Sequence, residues 1–242
     1  MFYYLLEPIM MYNRILIAAA VIPALWLMIR VWQSDRLEPE SPSLMAVLIR
    51  AGVLSSLLAL VEERILVAVL GQFIEPDTVA YNVILYFCVV ALAEESSKYI
   101  FLRRNSWNDP EFNCLYDGVV YAVFVSLGFA LWENISYVLN YGFTTAVVRA
   151  VTAIPGHACF GVFMGVFYGL AKKYANRGDT LKRSLFGVLT LIVPMLLHGA
   201  YDYIASIQQE GSGWYFAGFI LVLFVISYIL VDTASKKDEY IR

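Results

Sequence analysis

The sequence predicts an all-α fold, a polytopic bundle of about seven transmembrane helices. Two observations support this prediction. The 242 residues are 60% hydrophobic and only 15% charged, whereas a soluble domain of this length would carry about 25% charged residues. The apolar residues also fall into runs of roughly 20, the length at which a helix spans a bilayer. We expect one membrane-embedded domain over residues 1–242, with its core motifs within about 78–206.

The hydrophobic runs define the helices in order along the chain. We predict spans at 14–33, 44–69, 78–103, 115–139, 148–173, 182–206 and 213–232. Residues 1–13 are apolar but too short to span, so we expect them to lie at the membrane interface or to extend the first helix. The segment 35–42 contains prolines and charges that interrupt a helix, which predicts a short linker.

The basic residues predict the orientation of the bundle. They lie mainly in loops on one side: Arg30, Arg36, Arg103, Arg104, Lys172, Lys173, Arg177, Lys182, Arg183, Lys236, Lys237 and Arg242. The opposite loops carry Glu75, Asp77 and Glu210 instead. The positive-inside rule then places the amino terminus outside and the carboxyl terminus in the cytoplasm. The basic residues form no stripe with aromatic side chains, so we expect no nucleic-acid partner. The isolated cysteines Cys88, Cys114 and Cys159 predict no disulfide framework.

Glu94, Glu95 and Lys98 are ionisable residues within the third apolar run. An ionisable group at membrane depth costs at least about 2.5–3.5 kcal/mol, so such groups need a partner, a water-filled cavity or a chemical role. Glu94 and Lys98 are four residues apart and share a helix face, while Glu95 points about 100° away. We therefore expect Glu94 to be the paired carboxylate and Glu95 the freer one. The alternative is an ion pair at a helix end that reaches the cytoplasm.

Three later spans carry further polar residues at membrane depth. Glu133 and Asn134 lie in an aromatic run, either facing a polar cavity or anchored at the outer interface. His157 follows Pro155 and Gly156 and shares a helix face with three glycines at intervals of four residues, a spacing that favours close helix packing. His198 and Asp202 are one turn apart, so the carboxylate can orient the imidazole. We interpret another acidic pair, Glu62 and Glu63, with Arg64, as an interfacial cluster.

Such acidic and basic groups could polarise water for hydrolysis, hold a divalent metal that does so, or relay ions. Two histidines with several glutamates would suit zinc. The sequence lacks the His-Glu-x-x-His pairing of many zinc proteases. No serine lies in a nucleophile motif near a base, which makes nucleophilic catalysis the weaker interpretation.

The ordered motifs resemble the PrsW family of bacterial intramembrane proteases, which is related to the CAAX-processing and bacteriocin-processing membrane proteases. The resemblance covers residues 20–205. The segments that carry it are Ile22-Pro23-Ala24-Leu25, Asp35-Arg36, Glu38-Pro39-Glu40, Glu94-Glu95-Ser-Ser-Lys98, Asp117-Gly118, the run from Gly128 to Tyr137, Pro155-Gly156-His157 and His198-Gly-Ala-Tyr201-Asp202.

This resemblance implies a peptidase in a bacterial plasma membrane, of glutamic or metal-dependent type. Its substrate would be a single-pass protein in the lipid bilayer, such as an anti-sigma factor cleaved first during stress signalling. The implied catalytic residues are Glu94, Glu95, Glu133, His157, His198 and Asp202, with Lys98 and Asn134 in support. If a divalent metal such as zinc takes part, its candidate ligands are Glu95, His157 and His198.

We expect Glu94 or Glu95 to act as the general base on a water molecule. The other glutamate, or Glu133, would orient that water or protonate the leaving amine. Both histidines would stabilise the oxyanion or bind the metal, Asp202 would orient His198, and Lys98 would keep the acidic pair ionised. Two other classes stay open, a transporter or proton relay that uses the same buried groups and a non-enzymatic receptor or immunity protein.

Overall fold

The computed structural model of the chain describes residues 2–76 and 78–241, with side chains from Met11 onward. Asp77 and Arg242, which entered the orientation argument, lie outside the described residues. Within the described residues the regular secondary structure is helical, apart from an isolated β-bridge between Cys114 and Tyr240. The helices are α1 (Phe2–Trp32), α2 (Pro42–Phe73), α3 (Val79–Ile84), α4 (Ala91–Ser106), α5 (Asp117–Tyr141), α6 (Phe143–Val151), α7 (Ala153–Asn176), α8 (Thr180–Ser206) and α9 (Ser212–Lys236).

The prediction of about seven membrane spans is confirmed. Seven helical segments of the described chain are long and apolar enough to cross a bilayer. They lie at Met11–Trp32, Pro42–Phe73, Val79–Ser106, Asp117–Tyr141, Phe143–Asn176, Thr180–Ser206 and Ser212–Lys236. The first helix begins at Phe2, so the amino-terminal residues extend it.

Two of the seven spans are not regular α-helices. In the third span, a π-helical turn, Leu85–Val90, joins α3 to α4. Such turns are frequent at functional sites, and this one ends four residues before Glu94. In the fifth span, α6 and α7 meet at Thr152, whose backbone is non-helical at φ −120° and ψ −73°. Pro155 lies in the first turn of α7, where its missing N–H is tolerated.

Helix α5 lies at the centre of the bundle, packed against α1, α2 and α7. The glycines of α7 make this possible, because a Cβ built on Gly165 would lie only 2.4 Å from the Cα of Val119 on α5. A Cβ built on Gly161 would likewise lie 2.9 Å from Val123 Cα, and one built on Gly169 would lie 2.5 Å from the carbonyl oxygen of Leu115. The glycine stripe is therefore a packing surface, and it brings α7 against α5 at backbone distance.

Candidate active site

Helix α4 places three ionisable side chains inside the bundle. Lys98 is fully buried, and its Nζ donates hydrogen bonds to Glu95 Oε1 at 2.7 Å and to Glu94 Oε2 at 3.2 Å. Spacing alone predicted that Glu94 would be paired and Glu95 freer. The structure confirms the pairing of Glu94 with Lys98 but not the freedom of Glu95, because the lysine side chain reaches the residues three and four positions before it. Glu95 is the closer partner and is fully buried, while Glu94 lines a cavity.

Helix α8 supplies a second partner for Glu95. The Nδ1 atom of His198 lies 2.8 Å from Glu95 Oε1, and its Nε2 lies 3.3 Å from Asp202 Oδ2. Both ring nitrogens therefore face carboxylates, and the pairing of His198 with Asp202 expected from their spacing is present. The ring also stacks on Phe160 of α7, with centroids 4.7 Å apart. These contacts fix the imidazole in position and orientation.

Helix α7 brings His157 to the same place. Its Nδ1 lies 3.1 Å from Lys98 Nζ, and its Nε2 lies 2.8 Å from Glu133 Oε2. The ammonium can only donate, so Nδ1 accepts and Nε2 carries the proton that faces Glu133. The Lys98 ammonium also lies 4.2 Å from the centroid of the Phe129 ring. His157 thus connects the α4 residues to the carboxylate of α5.

Arg149 of α6 is a functional candidate that sequence reasoning missed. Its Nη2 lies 3.0 Å from Glu133 Oε2, and its Nε donates to Asn134 Oδ1 at 2.7 Å. Asn134 is fully buried and donates in turn to the carbonyl oxygen of Ala20 on α1 at 3.1 Å. The available signal was a lone arginine in an apolar run just before Pro155. These contacts make Glu133 part of a polar network inside the bundle rather than an isolated anchor at the interface.

The network opens into a cavity of about 560 Å³, within the size range of ligand sites. Glu94, Glu133, His157, His198 and Asp202 line it, together with side chains from α2. The α2 residues include Glu63 and Arg64, two members of the predicted interfacial cluster. A glutamate near the end of a long apolar run does not reveal from sequence which face it presents. Glu62 lies outside this cavity, and its carboxylate accepts a hydrogen bond from Ser97 at 3.1 Å.

The donor atoms also suit a divalent metal ion. Ligand atoms of Glu94, Glu95 and His157 all lie within 4.8 Å of one another. Carboxylates and imidazole are zinc ligands, and Glu95 Oε2 is buried with no hydrogen-bond partner among the described residues. The Lys98 ammonium contacts the same three side chains. An ion bound by them would therefore have to displace it.

The fold and the site together define a class of protein, a polytopic membrane protein with an acid–base centre inside its helix bundle. Four carboxylates and two imidazoles line one cavity, and Glu95 and Lys98 lie directly behind it. Such a set can activate water and transfer protons where bulk water is excluded.

Comparisons with known proteins identify the family. A family model described as PrsW family intramembrane metalloprotease matches residues 39–231. The chain belongs to this family and is a membrane peptidase, as the motifs implied. Substrates of such an enzyme lie in the lipid bilayer. No solved structure matches the chain.

Several curated relatives are similar over most of their length. The chain is 35% identical to Protease PrsW of Oceanobacillus iheyensis over 223 residues, which is 92% of this chain and 97% of the relative. It is 34% identical to Protease PrsW of Geobacillus kaustophilus over 208 residues, which is 86% of this chain and 87% of the relative. It is 42% identical to Protease PrsW of Bacillus subtilis over a shorter stretch of 113 residues, 47% of this chain and 50% of the relative.

Proposed function

We propose that this chain hydrolyses a peptide bond of a single-pass membrane protein, with Glu94 as the general base. One observation supports the choice of Glu94 over Glu95. Glu94 lines the cavity, whereas Glu95 is fully buried behind it and already has Lys98 and His198 as partners. A base must reach the water whose proton it removes. Glu94 has that access, while Glu95 positions the groups around it.

The reaction then follows from the contacts around the cavity. Glu94 takes a proton from water, and the water oxygen attacks the carbonyl carbon of the scissile bond. The carbonyl oxygen becomes negatively charged, and donors preorganised towards such an oxyanion can contribute several kcal/mol. His157 and His198 line the cavity. Each would donate to the oxyanion in exchange for a present contact, His157 Nε2–H for Glu133 and His198 Nε2–H for Asp202. The C–N bond breaks when the leaving nitrogen receives a proton, from Glu94 or through the pair of Glu133 and His157.

The remaining side chains hold these groups in place. Lys98 favours the ionised forms of Glu94 and Glu95 by direct contact, and Asp202 orients His198. Arg149 holds Glu133 and is itself held by Asn134. If the enzyme uses a divalent metal, Glu94, Glu95 and His157 would hold it, and the metal would supply a Lewis acid and a more acidic water. In that case, the glutamates would be ligands in addition to their roles in proton transfer.

The cellular assignment is also part of the proposal. The distribution of lysine and arginine supports an amino terminus outside and a carboxyl terminus in the cytoplasm of a bacterial plasma membrane. The implied substrate is an anti-sigma factor, cleaved first in a stress-signalling sequence. Counted along α7, His157 lies 19 residues from the end at Asn176, about 28 Å at 1.5 Å per residue. This spacing supports a cut in the outer half of the membrane.

A cleavage assay in proteoliposomes tests the assignment. A single-pass substrate is reconstituted with the wild type or with Glu94→Gln, Glu95→Gln or His157→Asn, each with and without chelator. We expect the three variants to lose at least about a hundredfold in rate. The matched control is Glu62→Gln, a carboxylate of α2 outside the cavity that should keep its rate. Full activity in the Glu94 variant would overturn its assignment as the base, and full activity in the Glu95 and His157 variants would overturn their roles. Loss of wild-type activity with chelator would show that the enzyme needs a divalent metal.

The same vesicles test the rival function. A proton relay would use the same buried groups, and the break between α6 and α7 is typical of transporter helices. Proton flux across the vesicle membrane without substrate cleavage would favour the relay. Cleavage without flux supports the peptidase mechanism.

A further inference from the structure

A second group of carboxylates lies at the other end of α5, away from the candidate active site. Oxygen atoms of Asp35, Glu40 and Asp117 all lie within 4.8 Å of one another. The three residues are 8%, 4% and 1% exposed. They come from the linker between α1 and α2 and from the first residue of α5. We call them the linker cluster.

Backbone amides orient the two aspartates of the linker cluster and leave one oxygen of each unpaired. Asp117 Oδ2 accepts hydrogen bonds from the backbone N–H groups of Asn113 at 2.9 Å and Cys114 at 2.6 Å. Asp35 Oδ1 accepts from the backbone N–H of Leu37 at 3.3 Å. The other oxygens, Asp117 Oδ1 and Asp35 Oδ2, are buried and have no partner among the described residues. A buried acceptor left unpaired is costly, so each free oxygen points to a missing partner.

Two further side chains share this feature. Asp238, from the tail after α9, uses Oδ1 to accept from the backbone N–H of Tyr116 at 2.8 Å and leaves Oδ2 unpaired. The side chain of Tyr121 is fully buried, and its hydroxyl makes no hydrogen bond of normal geometry within residues 2–76 and 78–241, although it lies close enough to interact with the carboxyl group of Glu40. Tyr121 lies one turn into α5, so this hydroxyl adjoins the linker cluster.

No basic side chain within the described ranges forms an ion pair with the linker cluster. Elsewhere in this protein, buried carboxylates have cations beside them, as Glu94 and Glu95 have Lys98. The carboxylates of the linker cluster therefore have no counterion among the described residues.

We propose that the linker cluster binds a hard divalent cation, of the Mg²⁺ or Ca²⁺ class. The available donors are all oxygens, which these ions prefer, and no imidazole or thiolate is among them. The free oxygens of Asp35 and Asp117, with Glu40, are the ligands. A bound ion would tie together the α1–α2 linker and the start of α5, where Asp238 of the tail binds the backbone N–H of Tyr116.

Thermal unfolding of the purified full-length chain in detergent tests this proposal. The protein is stripped with EDTA, and Mg²⁺, Ca²⁺ or Zn²⁺ is then added. We expect Mg²⁺ or Ca²⁺ at a hundredfold excess over its dissociation constant to raise the unfolding temperature by at least about 5 °C. The same measurement in a Glu95→Gln background removes one acidic ligand of the candidate active site. The stabilisation should persist there.

Variants of the linker cluster test whether the rise in unfolding temperature comes from an ion bound there. Glu40→Gln and Asp117→Asn should each lose most of the Mg²⁺ or Ca²⁺ shift. Glu40→Gln is the decisive variant, because Glu40 accepts no backbone hydrogen bond in the structure, whereas Asp117→Asn alters a carboxylate that orients the start of α5. The matched control is Glu38→Gln, an exposed carboxylate of the same linker, which should keep the full shift. No shift in the wild type, a shift with Zn²⁺ alone, or a full shift in Glu40→Gln would overturn the proposal.

Discussion

Replacing Lys98 with glutamine removes the only ammonium that contacts Glu94, Glu95 and His157 within the described chain. Lys98 and Glu95 are both fully buried. Removing one partner of a buried ion pair costs about 3–5 kcal/mol, because the other charge stays buried without compensation. For a chain of this length, 1 kcal/mol corresponds to roughly 2–4 °C in the unfolding temperature. We therefore expect Lys98→Gln to lower the unfolding temperature by about 6–20 °C.

The matched control is an ion pair with the same helical spacing at the surface. Lys236 Nζ lies 2.7 Å from Asp232 Oδ2, closer than Lys98 lies to Glu94, but both side chains are exposed. Exposed pairs contribute about 0–1 kcal/mol, so Lys236→Gln should barely change the unfolding temperature. Melting of purified variants in detergent, followed by tryptophan fluorescence, measures both. Equal unfolding temperatures for the two variants would refute the argument from burial.

A double variant separates charge from packing. If the loss in Lys98→Gln comes from an uncompensated carboxylate, adding Glu95→Gln should recover part of the stability, and the two effects should not be additive. Peptidase activity should stay lost in the double variant, since both residues position Glu94. Additive losses of stability would instead indicate that Lys98 contributes mainly through packing.

Two further predictions concern packing and positioning. Gly165→Ala should destabilise the chain by about 1–3 kcal/mol, because the new Cβ would lie 2.4 Å from Val119 Cα. Gly187 has open space around it, so Gly187→Ala should be neutral. Thermal unfolding measures both variants. Arg149→Gln should reduce the rate of substrate cleavage about 10- to 100-fold by freeing Glu133. An unchanged rate in that variant would show that Glu133 needs no fixed position.

The sequence predicted the helices, the polar residues of the candidate site and the pairings within one helix, but not the contacts between helices. Membrane helices can be predicted from sequence because each must form its own backbone hydrogen bonds and be long enough to cross the bilayer. The roles of Glu94 and Glu95 depend on how far the Lys98 side chain reaches and on the position of His198 on another helix. Within the predicted spans 78–103 and 115–139, Glu94 falls slightly to the cytoplasmic side of the centre and Glu133 falls in the outer half. The structure nevertheless brings both to one cavity.

The two ionic sites of this protein are separated along a single helix. Asp117 begins α5 and Glu133 lies 16 residues further on, about 24 Å at 1.5 Å per residue. The site at Glu133 contains imidazoles and an internal lysine, while the linker cluster contains oxygen donors without a cation. Because ligand type and geometry select among metals, one ion would not serve both sites. A chelator could therefore abolish activity by removing an ion from either end of α5. The chelator experiment must include the Glu40→Gln variant so that the two sites can be told apart.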